Sequence, residues 1–236
     1  MTPFTDQYRR SLFTEWIKLI EEQEIPFTAN CNPVSILGEP VQIRLWQLDG
    51  LPRDYLSTEN AVLVSCSRRW PLFIDPQGQA NKWGKSQGLS ICKLSDKDLI
   101  RTIESAVRFG KPVLIENVGT ELDPALDPIL LRQVYNQSGT MVVKLGDAVV
   151  PYDNNFRLYI TTKLPNPHYT PEVSIKVLLV NFTVVSTGLQ DQLLALVVMQ
   201  ERPDLEEQRS QIVVSVAQMK HELKDIEDRI LLKLSS

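Results

Sequence analysis

A chain of 236 residues, 43% apolar and 23% charged, has the length for one large domain, or a domain with an appendage, and an ordinary soluble composition. Its net charge of −4 and its lack of any long Lys/Arg run leave no electrostatic footprint for nucleic acid, and its longest apolar runs, such as Val177 to Val180 and Leu193 to Met199, fall far short of the roughly 20 residues a membrane helix needs. Met1-Thr2-Pro3-Phe4 lacks the basic and apolar regions of a signal peptide, so a cytosolic chain is expected; the scattered Cys31, Cys66 and Cys92 and the distant His168 and His221 predict reduced thiols and no metal cluster.

In chain order, Tyr8, Leu12, Phe13, Trp16, Ile17, Leu19 and Ile20 are spaced like the inner face of a helix over Phe4 to Ile25, stopped by Pro26. Asn30 to Pro40 reads as a loop. The alternation in Val41 to Trp46 predicts a half-buried strand or extended segment. Gly50-Leu51-Pro52 punctuates the chain, and Ser57 is expected to cap a helix through Ala61-Val62-Leu63-Val64.

Leu72-Phe73-Ile74, between Pro71 and Asp75-Pro76, predicts a buried parallel strand, and Gln77 to Trp83 a helix start. Strand, turn, helix is the setting of a phosphate-binding loop. That motif, G-x-x-x-x-G-K-[ST], needs glycines so that backbone N–H groups can wrap phosphates, while the lysine and hydroxyl serve the terminal phosphate and Mg²⁺. The turn here is Asp75-Pro76-Gln77-Gly78. A carboxylate faces the phosphate position, and Pro76 removes an N–H donor. Gly84-Lys85-Ser86 is out of register, because the glycine the short loop requires would fall at Gln79. The loop is therefore degenerate and no nucleotide cofactor is expected.

Leu89 to Leu94 predicts a second strand. Ser95-Asp96 is expected to cap a helix over Lys97 to Phe109, with Leu99, Ile103, Ala106 and Val107 inward and Gly110 ending it. Pro112 to Ile115 predicts a third buried strand, ending in Glu116-Asn117. Asp127-Pro128 starts a short helix through Val134, Met141 to Leu145 and Phe156 to Thr162 read as strands, Gly146-Asp147 as a turn, and Val173 to Asn181 is ambiguous. Alternating strands and helices indicate a doubly wound parallel sheet. From Gly188 the chain reads as helix. Ile212, Val216, Met219, Leu223, Ile226 and Ile230 then alternate at spacings of four and three, a heptad seam that calls for a partner helix or a place on the chain's own domain.

The strings Arg69-Trp70-Pro71-Leu72-Phe73-Ile74-Asp75-Pro76-Gln77-Gly78-Gln79-Ala80, Pro112-Val113-Leu114-Ile115-Glu116-Asn117-Val118, Asn166-Pro167-His168-Tyr169 and Gly188-Leu189-Gln190-Asp191-Gln192-Leu193 carry a resemblance over almost the whole chain. The sequence is similar to the fifth AAA+ module of the dynein heavy-chain motor ring, axonemal type. The resemblance implies an α/β fold: a P-loop NTPase-like parallel sheet with flanking helices, followed by a long C-terminal helix of coiled-coil type. It divides the chain into a lead-in helix over 1–50, a large AAA+ subdomain over 51–185, and the start of a helical small subdomain with one arm of a coiled-coil brace over 186–236. Active AAA+ modules end the third strand in Asp-Glu, which hold Mg²⁺ and orient the attacking water. Here those positions are Glu116 and Asn117, and the arginine finger aligns with the apolar run Val177 to Val180.

What the resemblance implies is a non-hydrolysing module that passes ring movements to a brace, with ATP and Mg²⁺ serving only the parent motor. Expected partners are neighbouring AAA+ modules, the second brace arm, the stalk coiled coil and other dynein subunits, in the cytoskeleton of a ciliary axoneme. An ATP-binding regulatory module without hydrolysis, or a standalone truncated adaptor acting through its coiled coil, are the alternatives. The helix behind the first strand is expected to be weakened, since 83–89 is about one turn shorter than in the family.

Overall fold

The computed structural model describes residues 2–27, 31–86, 89–137, 139–146 and 148–234. Helix α1 (Asp6–Glu22) forms within the expected span, but none of the expected inner-face residues is buried: Tyr8, Trp16 and Leu19 are exposed, the rest are half-buried, and the buried residue of the helix is Arg9. Two short helices follow, α2 (Pro33–Leu37), inside the expected loop, and α3 (Pro40–Leu48), in place of the expected strand over 41–46. Six alternating residues satisfy helix and strand patterns equally well, and Pro40 at the first helical position, where no N–H is needed, tips the segment to helix. Helix α4 (Tyr55–Cys66) is capped by Asp54 and not by Ser57. Asp54 Oδ1 accepts from the Ser57 N–H at 2.8 Å and Oδ2 from the Ser57 hydroxyl at 2.8 Å.

Strand β1 (Trp70–Ile74) leads into α5 (Gln79–Ser86), β2 (Ser90–Lys93), α6 (Leu99–Phe109) and β3 (Val113–Glu116). Asp96 does not cap α6 with its side chain; its carboxylate accepts instead from the Lys93 N–H, at 2.7 Å. Gly110 closes α6 in the left-handed region at φ +64°, as expected. A 3-10 turn (Pro124–Leu126) and α7 (Asp127–Leu130) precede β4 (Val134–Gln137), β5 (Thr140–Leu145) and β6 (Ala148–Pro151). The expected helix through 134 therefore ends early. Of the expected turn, Gly146 is described and Asp147 lies outside the described residues. Strand β7 (Leu158–Thr162) follows, and the ambiguous apolar stretch resolves into the end of α8 (Pro171–Lys176) and β8 (Val177–Asn181). Helices α9 (Ser186–Glu201) and α10 (Pro203–Leu234) complete the chain, separated by Arg202.

The main sheet is five-stranded, in the order β2-β3-β7-β1-β8, and every pairing in it is parallel. Strand β5, expected as a member, belongs instead to a three-stranded antiparallel sheet, β4-β5-β6. The register aligns Phe73 with Thr161 and Leu114 with Tyr159, so the period-two alternation sorts the side chains into two cores. On one face Leu72, Val113, Ile115, Leu158 and Ile160 pack with Leu99, Ile103 and Val107 of α6 and with Val143 and Leu145 of the small sheet. On the other face Phe73 and Val180 pack with Ala80 and Trp83 of α5, Ala61 of α4, Leu51 and Phe182. Each of these large side chains contributes about 1.5–3 kcal/mol by leaving water. Helix α5 is anchored by Trp83, 6% exposed, whose ring meets Trp46, Phe73 and Phe182.

Candidate functional site at the closed loop

The C-terminal ends of β1, β7 and β3 lie side by side, the edge at which open α/β sheets take ligands. The alternation that points Phe73, Tyr159 and Leu114 toward α5 places Asp75, Thr161 and Glu116 on that same face at this edge. Asp75 is 2% exposed. Its N–H continues the ladder to the Thr162 carbonyl at 2.9 Å, and its carboxylate turns onto the start of α5. Oδ1 accepts from the Gln79 N–H at 2.8 Å and Oδ2 from the Asn81 N–H at 3.0 Å. These are first-turn donors with no partner inside the helix, on the end that carries partial positive charge. A phosphate in a phosphate-binding loop would use the same donors. The anion seat is thus filled by the chain's own carboxylate.

The rest of the turn serves that geometry. Pro76 is half-buried and offers no N–H, Gln77 is exposed, and Gly78 sits at φ +78°, letting the chain reverse from strand into helix. Gly84, Lys85 and Ser86 form the last part of α5, at the end away from the seat. Glu116 closes β3, 8% exposed. Asn117 is exposed and left-handed at φ +56°, a region asparagine tolerates better than most residues. Thr162 donates to the Val118 carbonyl at 2.8 Å and accepts from the Leu164 N–H at 3.2 Å, while Thr161 Oγ1 is buried with no hydrogen-bond partner among the described residues. Cys92 on β2 is buried, and that burial, with the charges of Asp96 and Glu116, pushes its thiol up to about 11. The edge therefore presents two buried carboxylates, Asp75 and Glu116, where a polyphosphate would need cations.

Two features were not anticipated from the sequence. Gln192 on α9 donates from Nε2 to Asp54 Oδ2 at 2.9 Å, and its Oε1 faces Gln79 Nε2 at 3.5 Å, so α9 is tied to both α4 and the loop helix. The D-x-x-S spacing of Asp54 and Ser57 is a capping signal, but nothing local marks a glutamine 138 residues away. The second is a buried ion pair. Arg9 Nη1 stands 3.4 Å from Glu59 Oε2, both 2% exposed, while Nη2 and Nε donate to the Thr2 and Phe4 carbonyls at 2.7 and 3.1 Å. The helical pattern of α1 hides Arg9 among its polar positions. Burial raises the Glu59 carboxyl above the ordinary range, outweighing the pull of Arg9, and lowers the Arg9 guanidinium.

Among the described residues no group of three or more His, Cys, Asp and Glu side chains could hold a metal ion, and no helix is long and apolar enough to cross a membrane. The seam residues Ile212, Val216, Met219, Leu223, Ile226 and Ile230 lie along α10, 41% to 62% exposed. At 32 residues the helix is about 48 Å long.

The family described as the ATP-binding dynein motor region matches residues 44–236. Human dynein axonemal heavy chain 1 is 57% identical over 238 residues, covering 99% of this chain and 6% of that protein. Dynein axonemal heavy chain 6 of Homo sapiens is 51% identical over 232 residues, covering 97% and 6%. The dynein-1-beta heavy chain of the flagellar inner arm I1 complex of Chlamydomonas reinhardtii is 45% identical over 240 residues, covering 99% and 5%. This chain thus spans about one-twentieth of the length of these relatives.

Proposed function

Because the chain belongs to the ATP-binding dynein motor region family, we propose that it is a non-hydrolysing AAA+ module, the fifth of a dynein heavy-chain ring, passing movements of the ring to a coiled-coil brace. The observation that carries this reading is the Asp75 carboxylate seated on the first-turn N–H groups of α5. A nucleotide would have to expel it from a buried site and then meet Glu116 as well. Asn117 supplies a carboxamide where a base would stand, and a carboxamide does not accept a proton from water at neutral pH. The large subdomain is the parallel sheet with its flanking helices, α9 opens the small subdomain, and α10 is one arm of the brace. Its exposed seam, from Ile212 to Ile230, is the surface a second helix would cover. Adjacent ring modules and the stalk coiled coil are the partners this role requires. The names of the relatives, axonemal and flagellar, support a place in the axoneme.

Calorimetric titration of Mg-ATP into the chain tests the reading. Expected is no saturable heat up to millimolar nucleotide and no phosphate release. Micromolar binding accompanied by turnover overturns it.

A further inference from the structure

A cleft of about 570 Å³ is lined by the end of α3, the turn that follows it, the start of α5 and the second half of α9. Its walls are joined to the body at both ends. Gln192 ties α9 to Asp54 on one side, and beyond Arg202 helix α10 packs back on α3. The opening is thus part of the fold and needs no bound molecule to create it, which is the usual condition of a small-molecule site, and its volume suits one. Leu48, Leu196 and Met199 stand 42% to 62% exposed although they line a concavity. Apolar surface is kept in water there that the apolar body of a ligand would cover.

The charged groups of the cleft are of one sign. Arg53, half-buried, and Lys82, exposed, line it together with the amides of Gln47, Gln79 and Gln192, and among the described residues no Asp or Glu does. Asp54, next to Arg53 in the chain, is held by Ser57 and Gln192, and Asp75 is held by the first-turn N–H groups of α5. We propose that the cleft binds a small amphipathic organic anion. Its apolar body lies against Leu48, Leu196 and Met199, and its one carboxylate- or sulfonate-type group is met by Arg53 and Lys82. A polyphosphate does not suit the cleft, because the seat it would use at the start of α5 is taken by Asp75. The inference goes beyond the proposed function and does not require it.

The test is fluorescence titration of the full chain with two probes that share an apolar body, anilinonaphthalene sulfonate, which is anionic, and N-phenylnaphthylamine, which is neutral. Expected is one saturable site for the anionic probe, bound about tenfold more tightly than the neutral one. Lys82→Gln should weaken the anionic probe about threefold, since an exposed cation is screened, and Arg53→Gln with Lys82→Gln about tenfold. The neutral probe should hold its affinity in both. Ala195→Phe, which fills the cleft from α9, should remove the saturable signal of both probes. Should Ala195→Phe melt early by circular dichroism, Leu196→Glu, at an exposed position, should remove the anionic probe and spare the neutral one. Binding that survives Ala195→Phe and Leu196→Glu lies on another apolar surface and overturns the site. Equal affinity for the two probes overturns the anion. Displacement of the probe by micromolar Mg-ATP overturns this inference together with the proposed function, whereas failure of the anionic probe to bind overturns this inference alone.

Discussion

Replacing Asp75 with alanine removes the anion from the start of α5 and leaves the Gln79 and Asn81 N–H groups without an acceptor. Hydrogen bonds to a charged group contribute about 1.5–3 kcal/mol each, and at the lower figure two of them amount to about 3 kcal/mol. Lost capping and lost attraction to the helix dipole are the same interactions seen differently and are not added again. For a chain of this length 1 kcal/mol moves the melting midpoint by roughly 2–4 °C, so a fall of about 6–12 °C is expected in a thermal scan, with a matching loss in urea titration. Asp75→Asn, which keeps one oxygen acceptor, should lose about half as much. The vacated seat should also become an anion site. Sulfate at ten times its dissociation constant would restore about 1.4 kcal/mol to the alanine variant, beyond its general effect on the parent chain. A loss below 1 kcal/mol, with no sulfate-specific rescue, would refute the claim that Asp75 holds the loop.

The buried pair of α1 and α4 makes a second prediction. Arg9→Met strands the Glu59 carboxylate without its cation and should cost about 3–5 kcal/mol at neutral pH, shrinking in weak acid as Glu59 takes up a proton. In the parent chain Glu59 holds its proton to higher pH when folded than when unfolded, so its contribution to stability falls as pH rises from the ordinary glutamate range through the raised folded value. Stability measured from pH 4 to 7 should accordingly decline more steeply in the parent than in Glu59→Gln. Cys92, buried and pushed up to about 11, should resist a thiol reagent at pH 8 until denaturant is added, while Cys31 and Cys66 react in the native chain. Gly110→Ala should lose more than the roughly 1–2 kcal/mol of a left-handed alanine, by chemical denaturation. Its Cβ would stand 2.7 Å from Asp153 Oδ1, an oxygen held by the Asn155 N–H at 2.8 Å.

How far the sequence speaks depends on how local the governing interaction is. Leu72-Phe73-Ile74 and Val113 to Ile115 announce buried parallel strands because both of their faces are covered. Gly110 announces a helix end because one residue's φ decides it. Val41 to Trp46 misleads because its six residues are too few to separate a period of two from one of 3.6, and Pro40 carries the deciding information. The short strands β4 and β6 escape notice because each is four residues long and exists through pairing with β5. At the site, Asp75-Pro76 is legible as a departure from the phosphate-binding loop pattern. That Asp75 fills the seat as well as spoiling it requires knowing where its two oxygens point, and the tie of Gln192 to Asp54 spans more than half of the chain.

An anion that belongs to the polypeptide has no off-rate, and its occupancy does not depend on concentration. Modules that bind ATP keep time, because exchange and hydrolysis reset them. On the proposed reading, a module whose seat is closed by Asp75 has no such clock, and its shape does not register the ratio of ATP to ADP around it. On that same reading, it would be suited, within a machine paced by fuel, to be the stiff member that answers at any phase of the cycle and through any shortage of nucleotide.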